Sequence, residues 1–311
     1  MRVDVAIDAR RTRQMSTGTR AYLDALLDGL PRVAPDLAIA RIGRGEHFGV
    51  DEHLRLPVEM LSQRPRLVHF ITPVAPLVRP APYVVTVHDL IHLRFPELHA
   101  RQAQLYYAIL GRRLIRGARR ILVGDERTVE DCVRLVGVPP ERCRVVPLGF
   151  DPVLLTDDAI EQRPHPYVFY AGNHRAHKNL ATLFAAWHAL PPSVELDCVV
   201  TGPNDLPAAL PRTRPGGAIV TLGQVDRARL SRLYRGALAY VHPALVEGFG
   251  IPMLEAAAVG TPVIAAAECV PTVVRGIAQT FAARDVVAVR DLLAAVAAAP
   301  EAARRRAREV A

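Results

Sequence analysis

Residues 241–266, reading VHPALVEGFGIPMLEAAAVGTPVIAA, restrict the fold of this chain more than any other stretch. Apolar residues up to Val241 form the end of a strand, and Gly248 and Gly250 mark a loop. Pro252 then stands near the first position of a helix, where a missing N–H is no loss. Gly260, Thr261 and Pro262 stop that helix, and Val263 to Ala266 begin another strand. Strand, glycine loop, helix and strand in such short order specify an α/β unit with a parallel sheet.

The chemistry of this stretch lies at the loop-to-helix junction. Amides at a glycine loop and a helix N-terminus are unpaired and sit at the positive end of the dipole, which suits anions and oxygen-rich ligands. Two carboxylates flank the junction, Glu247 on the loop and Glu255 in the first helical turns. Carboxylates accept hydrogen bonds from hydroxyls, so the pair can grip a sugar and a ribose on either side of a diphosphate. Taken alone, the same spacing also fits a solvated loop residue and a carboxylate that merely favours a helix start.

The segment HPALVEGFGIPMLEAAAVGTPVIA resembles the signature of glycosyltransferase family 4, retaining enzymes of the GT-B fold, with Ala244 and Ala257 where the family usually has Ser and Met. The resemblance implies an α/β protein of two Rossmann-like doubly wound domains facing a central cleft. Residues 1–150 would form the acceptor-binding domain and 151–311 the domain for a nucleotide-sugar donor. It further implies that Glu247 holds sugar hydroxyls, that Glu255 holds the ribose, and that Gly248, Phe249, Gly250 and Ile251 line the diphosphate.

Other segments extend the resemblance over most of the chain. In VVTVHDLIHLRFPE, His88 follows an inner strand, the edge where open α/β sheets place ligands. A lone histidine there is otherwise a core residue. The match to the H-D-x-x-x-x-x-x-P-E segment, closest to bacterial mannosyltransferases of O-antigen or capsule, implies that His88 is catalytic and lies against the donor sugar. His92 and Arg94 become acceptor-side candidates. GNHRAHKNL matches G-x-x-x-x-x-K-N, which implies that Arg175 and Lys178, expected one turn apart at a helix start, bind the donor diphosphate. Ser16-Thr17-Gly18-Thr19, after a first strand at Val3 to Ala9, reads as a loop before an amphipathic helix bearing Tyr22, Leu23, Leu26, Leu27 and Leu30. A helix cap explains it equally well, and the resemblance implies a diphosphate contact at Gly18. Gly124 and Thr272 replace a serine and a glutamate that the family usually carries.

Among the 39 basic side chains only Lys178 is a lysine, a sign that a compact point charge is needed there. The net charge of +8 suits an anionic partner such as a nucleotide, a lipid surface or nucleic acid; with the resemblance the reading is a nucleotide-sugar and no nucleic acid. Arginines of a helix expected over Glu97 to Arg120 could rest on anionic phospholipid, or form a solvated face. No run of eighteen apolar residues occurs and the chain begins directly with a strand, so the expected location is the cytoplasm, with peripheral contact at the inner membrane face. The four cysteines lack C-x-x-C spacing and read as buried thiols. No D-x-D triplet occurs, so no metal and no cofactor are expected, and protein cations would neutralise the leaving group.

Gly149 to Pro166 reads as an interdomain linker and the residues from Glu301 as a tail. Relatives usually continue into helices that brace the first domain, which implies looser closure here or bracing by a partner. A phosphorylase using inorganic phosphate and a degenerate module that binds without turnover are the competing readings. A nicotinamide oxidoreductase is disfavoured by the missing G-x-G-x-x-G.

Overall fold

The computed structural model describes residues 3–10, 15, 17–44, 50–98 and 101–310. The chain divides into two units, Met1–Leu148 and Gly149–Ala311.

The first unit runs β1 (Val5–Asp8), α1 (Thr17–Val33), β2 (Ile39–Ile42), α2 (Val50–Gln63), β3 (Leu67–Phe70), β4 (Tyr83–Val87), α3 (Ile91–Arg94), α4 (Arg101–Tyr106), α5 (Arg112–Gly117), β5 (Arg120–Val123), α6 (Glu126–Asp131) and β6 (Cys143–Val145). Its six strands are all parallel in the order β2-β1-β3-β4-β5-β6. The order reverses at β1, which places the switch point of the sheet between the carboxyl ends of β1 and β3. One core packs Leu56, Met60, Leu114 and Ile115 against Val68, Val85 and Ile121. The other packs Leu23 and Leu27 of α1 against Ile7 and Ile71.

The second unit runs β7 (Tyr167–Ala171), α7 (Leu180–His188), β8 (Asp197–Thr201), β9 (Thr213–Arg214), β10 (Gly217–Thr221), α8 (Arg227–Gly236), β11 (Ala239–His242), α9 (Ile251–Ala258), β12 (Val263–Ala266), β13 (Gln279–Phe281), α10 (Val286–Ala298) and α11 (Pro300–Val310). Its sheet has the order β13-β12-β11-β7-β8-β10-β9 and is parallel except for the β9–β10 pair. Strands β7, β8, β11 and β12 are buried at every residue because helices cover both faces, which explains why they are apolar apart from Asp197, Thr201 and His242 at strand ends. Trp187 of α7 is fully buried, its Nε1 donating to Leu196 O at 2.8 Å. Burying a large side chain of this kind stabilises by about 1.5–3 kcal/mol.

Several elements differ from the sequence reading, each for a physical reason. Gly18 lies in the first turn of α1 rather than in a loop, and Ser16 is outside the described residues. Burial of Leu23 and Leu27 outweighs the roughly 1 kcal/mol that a helical glycine costs. A Cβ at Gly18 would meet open space, so no crowding demands glycine there. The helix expected over Glu97 to Arg120 starts at Arg101, widens into a π-helical turn at Tyr107–Gly111 and ends at Gly117. The segment read as a linker is packed onto the second unit. Its turn Pro152–Leu155 buries Leu154, whose carbonyl accepts from Ser231 Oγ at 2.8 Å and Arg235 Nη2 at 3.1 Å. The expected tail is helix α11, which buries Ala303 and Ala307 and donates from Arg304 Nη2 to Ala237 O at 2.9 Å.

Candidate active site

In the second unit the sheet order reverses at β7. The switch point falls between β7 and β11, the place where open α/β sheets bind ligands at the carboxyl edge. The loop after β7 carries Arg175 and Lys178, and the loop after β11 carries Glu247 to Gly250. These loops are far apart in sequence and adjacent in space because β7 and β11 pair directly.

Arg175 and Lys178 do not share a helical turn of α7. Arg175 precedes a 3₁₀ turn, Ala176–Lys178, and Asn179 then adopts a left-handed conformation (φ 53°) before α7 begins at Leu180. Asparagine is among the few residues that take this conformation readily. Its side chain also ties the two loops together. Asn179 Nδ2 donates to Pro243 O at 3.0 Å and Oδ1 accepts from Thr182 Oγ1 at 3.0 Å, while Leu245 N donates to His177 O at 2.8 Å.

Lys178 Nζ pairs with Glu247 Oε2, and His242 Nε2 stands 3.2 Å from the same oxygen. His242 Nδ1 in turn faces Tyr240 Oη at 3.0 Å. Burial raises the Glu247 carboxyl, but the charges and hydrogen bonds of Lys178 and His242 outweigh it and hold the group below the usual carboxylate range. Arg175 is exposed beside this cluster. Sequence reasoning did not single out His242, whose signal is its place as the last residue of a buried strand on the ligand edge.

Helix α9 begins just past Gly250, its N-cap residue in the left-handed region (φ 86°). The left-handed backbone calls for glycine at this position, whereas the contact a Cβ would make, with the terminal methyl of Met253, can be relieved by rotation of that side chain. Gly248 and Phe249 are buried in the turn, and Ile251 opens the helix with an amide that has no partner one turn earlier. Glu255 lies further along α9, 3 % exposed. It accepts from Tyr234 Oη at 3.0 Å and pairs with Arg227 Nη2 at 2.9 Å. Burial raises its carboxyl, and Arg227 and Tyr234 offset this only in part. Arg227 was not foreseen, because an arginine at the start of a helix gives no local signal of a buried partner.

In the first unit His88 follows β4, with Tyr22 packed edge-on at 4.9 Å between ring centres. Its Nε2 is enclosed without a hydrogen-bond partner among the described residues. Burial lowers its pKa, so the ring is neutral near pH 7. Thr86 Oγ1, two residues before His88, is 2.8 Å from His69 Nε2 and 3.0 Å from Tyr22 Oη. His92 stacks on Tyr107 at 4.2 Å, and Arg94 lies 3.6 Å from Asp131. Both acceptor-side candidates therefore have partners within their own unit.

At the β1 edge a charged group is buried. Arg10 is 2 % exposed; its Nε and Nη2 grip Asp8 (2.9 and 2.6 Å), Nη1 donates to Glu52 Oε2 at 2.8 Å, and Nη2 reaches Val74 O at 3.1 Å. A Cβ at Gly43 (φ 86°) would strike Arg10 Cγ at 2.7 Å. Nothing local in the sequence foretells this group, since three charged residues read as surface until tertiary contacts neutralise them.

Two parallel-sheet units with a cation, carboxylates and a glycine-capped helix at the switch point of the second define a glycosyltransferase-type GT-B architecture. The family model "Glycosyl transferases group 1" matches residues 157–304, and "Glycosyltransferase Family 4" matches residues 23–154. The chain belongs to glycosyltransferase family 4. It is 26% identical to O-antigen chain mannosyltransferase B of Escherichia coli over 58% of this chain and 52% of that protein. It is 31% identical to D-inositol 3-phosphate glycosyltransferase of Xylanimonas cellulosilytica over 51% of this chain and 43% of that protein. The chain thus spans about half the length of the curated relatives it matches. Among solved structures, sucrose-phosphate synthase from Thermosynechococcus elongatus superposes with a TM-score of 0.72 at 18% identity, covering 99% of this chain and 94% of that one. Anabaena HepE in complex with UDP and glucose gives 0.66 at 12% identity, covering 99% and 93%.

Proposed function

We propose that the protein is a retaining glycosyltransferase that moves a hexose, with mannose as our reading, from a nucleoside-diphosphate sugar to a glycan, lipid-linked or small-molecule acceptor. The observation that carries this is the Lys178–Glu247–His242 cluster beside the α9 N-terminus. Breaking the anomeric C–O bond pushes negative charge onto the departing diphosphate. Lys178, Arg175 and the amides from Gly248 to Ile251 are fixed positive groups that stabilise such charge, and they do so without a divalent ion. Glu247 accepts sugar hydroxyls and positions Lys178, while Glu255 holds the ribose. His88, neutral and with Nε2 unpaired among the described residues, keeps its role against the donor sugar. Displacement proceeds on one face of the sugar, with leaving-group oxygen taking the acceptor proton. The solved complex of Anabaena HepE with UDP-glucose and the names of the O-antigen mannosyltransferases support the donor class and the sugar.

A thermal-shift screen of nucleoside diphosphates and nucleotide sugars, followed by a radiolabel transfer assay, tests the reading. GDP or GDP-mannose is expected to raise the melting point, and Lys178→Ala and Glu255→Ala to abolish that rise. Retention of the rise in both variants would sink the site assignment. Binding without transfer would favour the degenerate module, and turnover that requires inorganic phosphate would favour the phosphorylase.

The acceptor side includes a membrane surface in the same proposal. Arg101, Leu105, Ile109, Arg113 and Arg116 form one exposed helical stripe, apolar at its centre and basic at its ends. Such a stripe suits the anionic cytoplasmic leaflet. No helix among the described residues is long and apolar enough to cross a membrane. Sedimentation with phosphatidylglycerol vesicles, lost in Arg113→Glu/Arg116→Glu and absent with phosphatidylcholine, is the expected result; equal binding to both lipids would refute it.

A further inference from the structure

Arg227 sits where helix physics disfavours it. It is the first residue of α8, whose positive end repels a cation, and no acidic residue stands in that first turn. What holds the guanidinium is a pair of carboxylates: Nη2 lies 2.9 Å from Glu255 Oε1, and Nε lies 3.3 Å from Asp151 Oδ2. Tyr234 donates to the other Glu255 oxygen. The Glu255 side chain is left 4 % exposed, whereas Arg227 is 44 % exposed and forms the water-facing member of the pair. Two donors leave lone pairs on Glu255, but its side chain is almost wholly covered and Arg227 is the partner on the water side, so the direct route for a hydroxyl from solvent is to displace the guanidinium.

Arg227 and Glu255 both follow strands of the second sheet at the carboxyl edge that carries Lys178 and Glu247. We infer that Arg227 is the lid of the ribose subsite, releasing Glu255 when the paired hydroxyls of a nucleoside diphosphate arrive and staying anchored by the Asp151 contact it already makes. This rests on the assignment of Glu255 to the ribose. The open form is then a fraction of the empty protein, and the apparent affinity for a ribonucleotide is reduced by that fraction. A nucleotide without the 2′ and 3′ hydroxyls gains nothing from opening.

Calorimetric titration of the full chain with GDP, UDP and their 2′,3′-dideoxy forms tests the lid. Arg227→Gln is expected to raise the ribo-to-dideoxy affinity ratio about fivefold, as removal of a competing closed state does. Arg227→Lys keeps a cation at the surface and gives a ratio between those of Arg227→Gln and the parent chain. Glu255→Gln brings the ratio close to one. An unchanged or lowered ratio in Arg227→Gln, with Glu255→Gln still collapsing it, overturns the lid and leaves the ribose assignment standing. A full ratio retained in Glu255→Gln, or no binding of either ribonucleotide to the parent chain, overturns both.

Discussion

Replacing Lys178 by Met tests whether the cation is needed to keep Glu247 ionised. The two side chains are 12 % and 18 % exposed, so removing the ammonium leaves a largely enclosed carboxylate facing only His242. Breaking a buried pair from one side costs about 3–5 kcal/mol, and the residual exposure argues for the lower end, about 3 kcal/mol. For a unit the size of residues 149–311 that corresponds to a fall of roughly 6–12 °C in melting temperature, read by calorimetry. The double variant Lys178→Met/Glu247→Gln removes both charges and should recover at least half of the loss, because no uncompensated charge remains. The pH dependence has a definite sign. Glu247 titrates below its unfolded value, so its stabilisation is present above about pH 4 and is lost as pH falls toward the folded value. In Lys178→Met burial is opposed by His242 alone, the carboxyl takes up its proton at higher pH, and the deficit against the parent chain shrinks on acidification. A single variant that melts with the parent, or a double variant no better than the single, would refute the reasoning.

Gly250→Ala should destabilise by about 1–2 kcal/mol from the left-handed backbone, and should weaken GDP binding in the same titration. Asn179→Gly, which keeps the conformation and loses only the hydrogen bonds, is expected to cost less than Asn179→Ala in urea unfolding; the reverse order would show that the backbone there is unstrained. His69 is buried, and desolvation with help from His88 pushes its pKa down to about 4 against the pull of Asp8. Its unfolded value is near 6.5, so the unfolded chain binds more protons between those values and stability falls as pH drops through that window, by about 1.6 kcal/mol from pH 6.5 to 5. His69→Asn should flatten that slope in pH-dependent melting, and an unchanged slope would assign it to other groups.

The alternating strands and helices of the second unit were legible because its central strands β7, β8, β11 and β12 are predominantly apolar and its helices are punctuated by glycine or proline. Lys178, Glu247 and Gly250 were singled out through the resemblance to the family, and the structure pairs Lys178 with Glu247 and puts Gly250 at the left-handed cap of α9. What stayed hidden depends on contacts across the chain. Helix α2 carries Pro57 inside it, which breaks the helical pattern in sequence, yet Leu56 and Met60 anchor it to the core. Asp8, Arg10 and Glu52 read as surface charges because only the fold brings Glu52 to within 2.8 Å of Arg10. Arg227 was missed likewise, and Gly18 was misplaced because glycine signals a loop more strongly than it prevents a helix start.

Asn179 has a consequence for how the second unit responds to a ligand. Since its amide fastens the β7 loop to Pro243, and Leu245 fastens back to His177, the segments bearing Lys178 and Glu247 behave as a single plate. A shift of one segment is passed to the other through these hydrogen bonds, so under the proposed function accommodation of a larger or smaller sugar would fall to side-chain rotation above the tied loops.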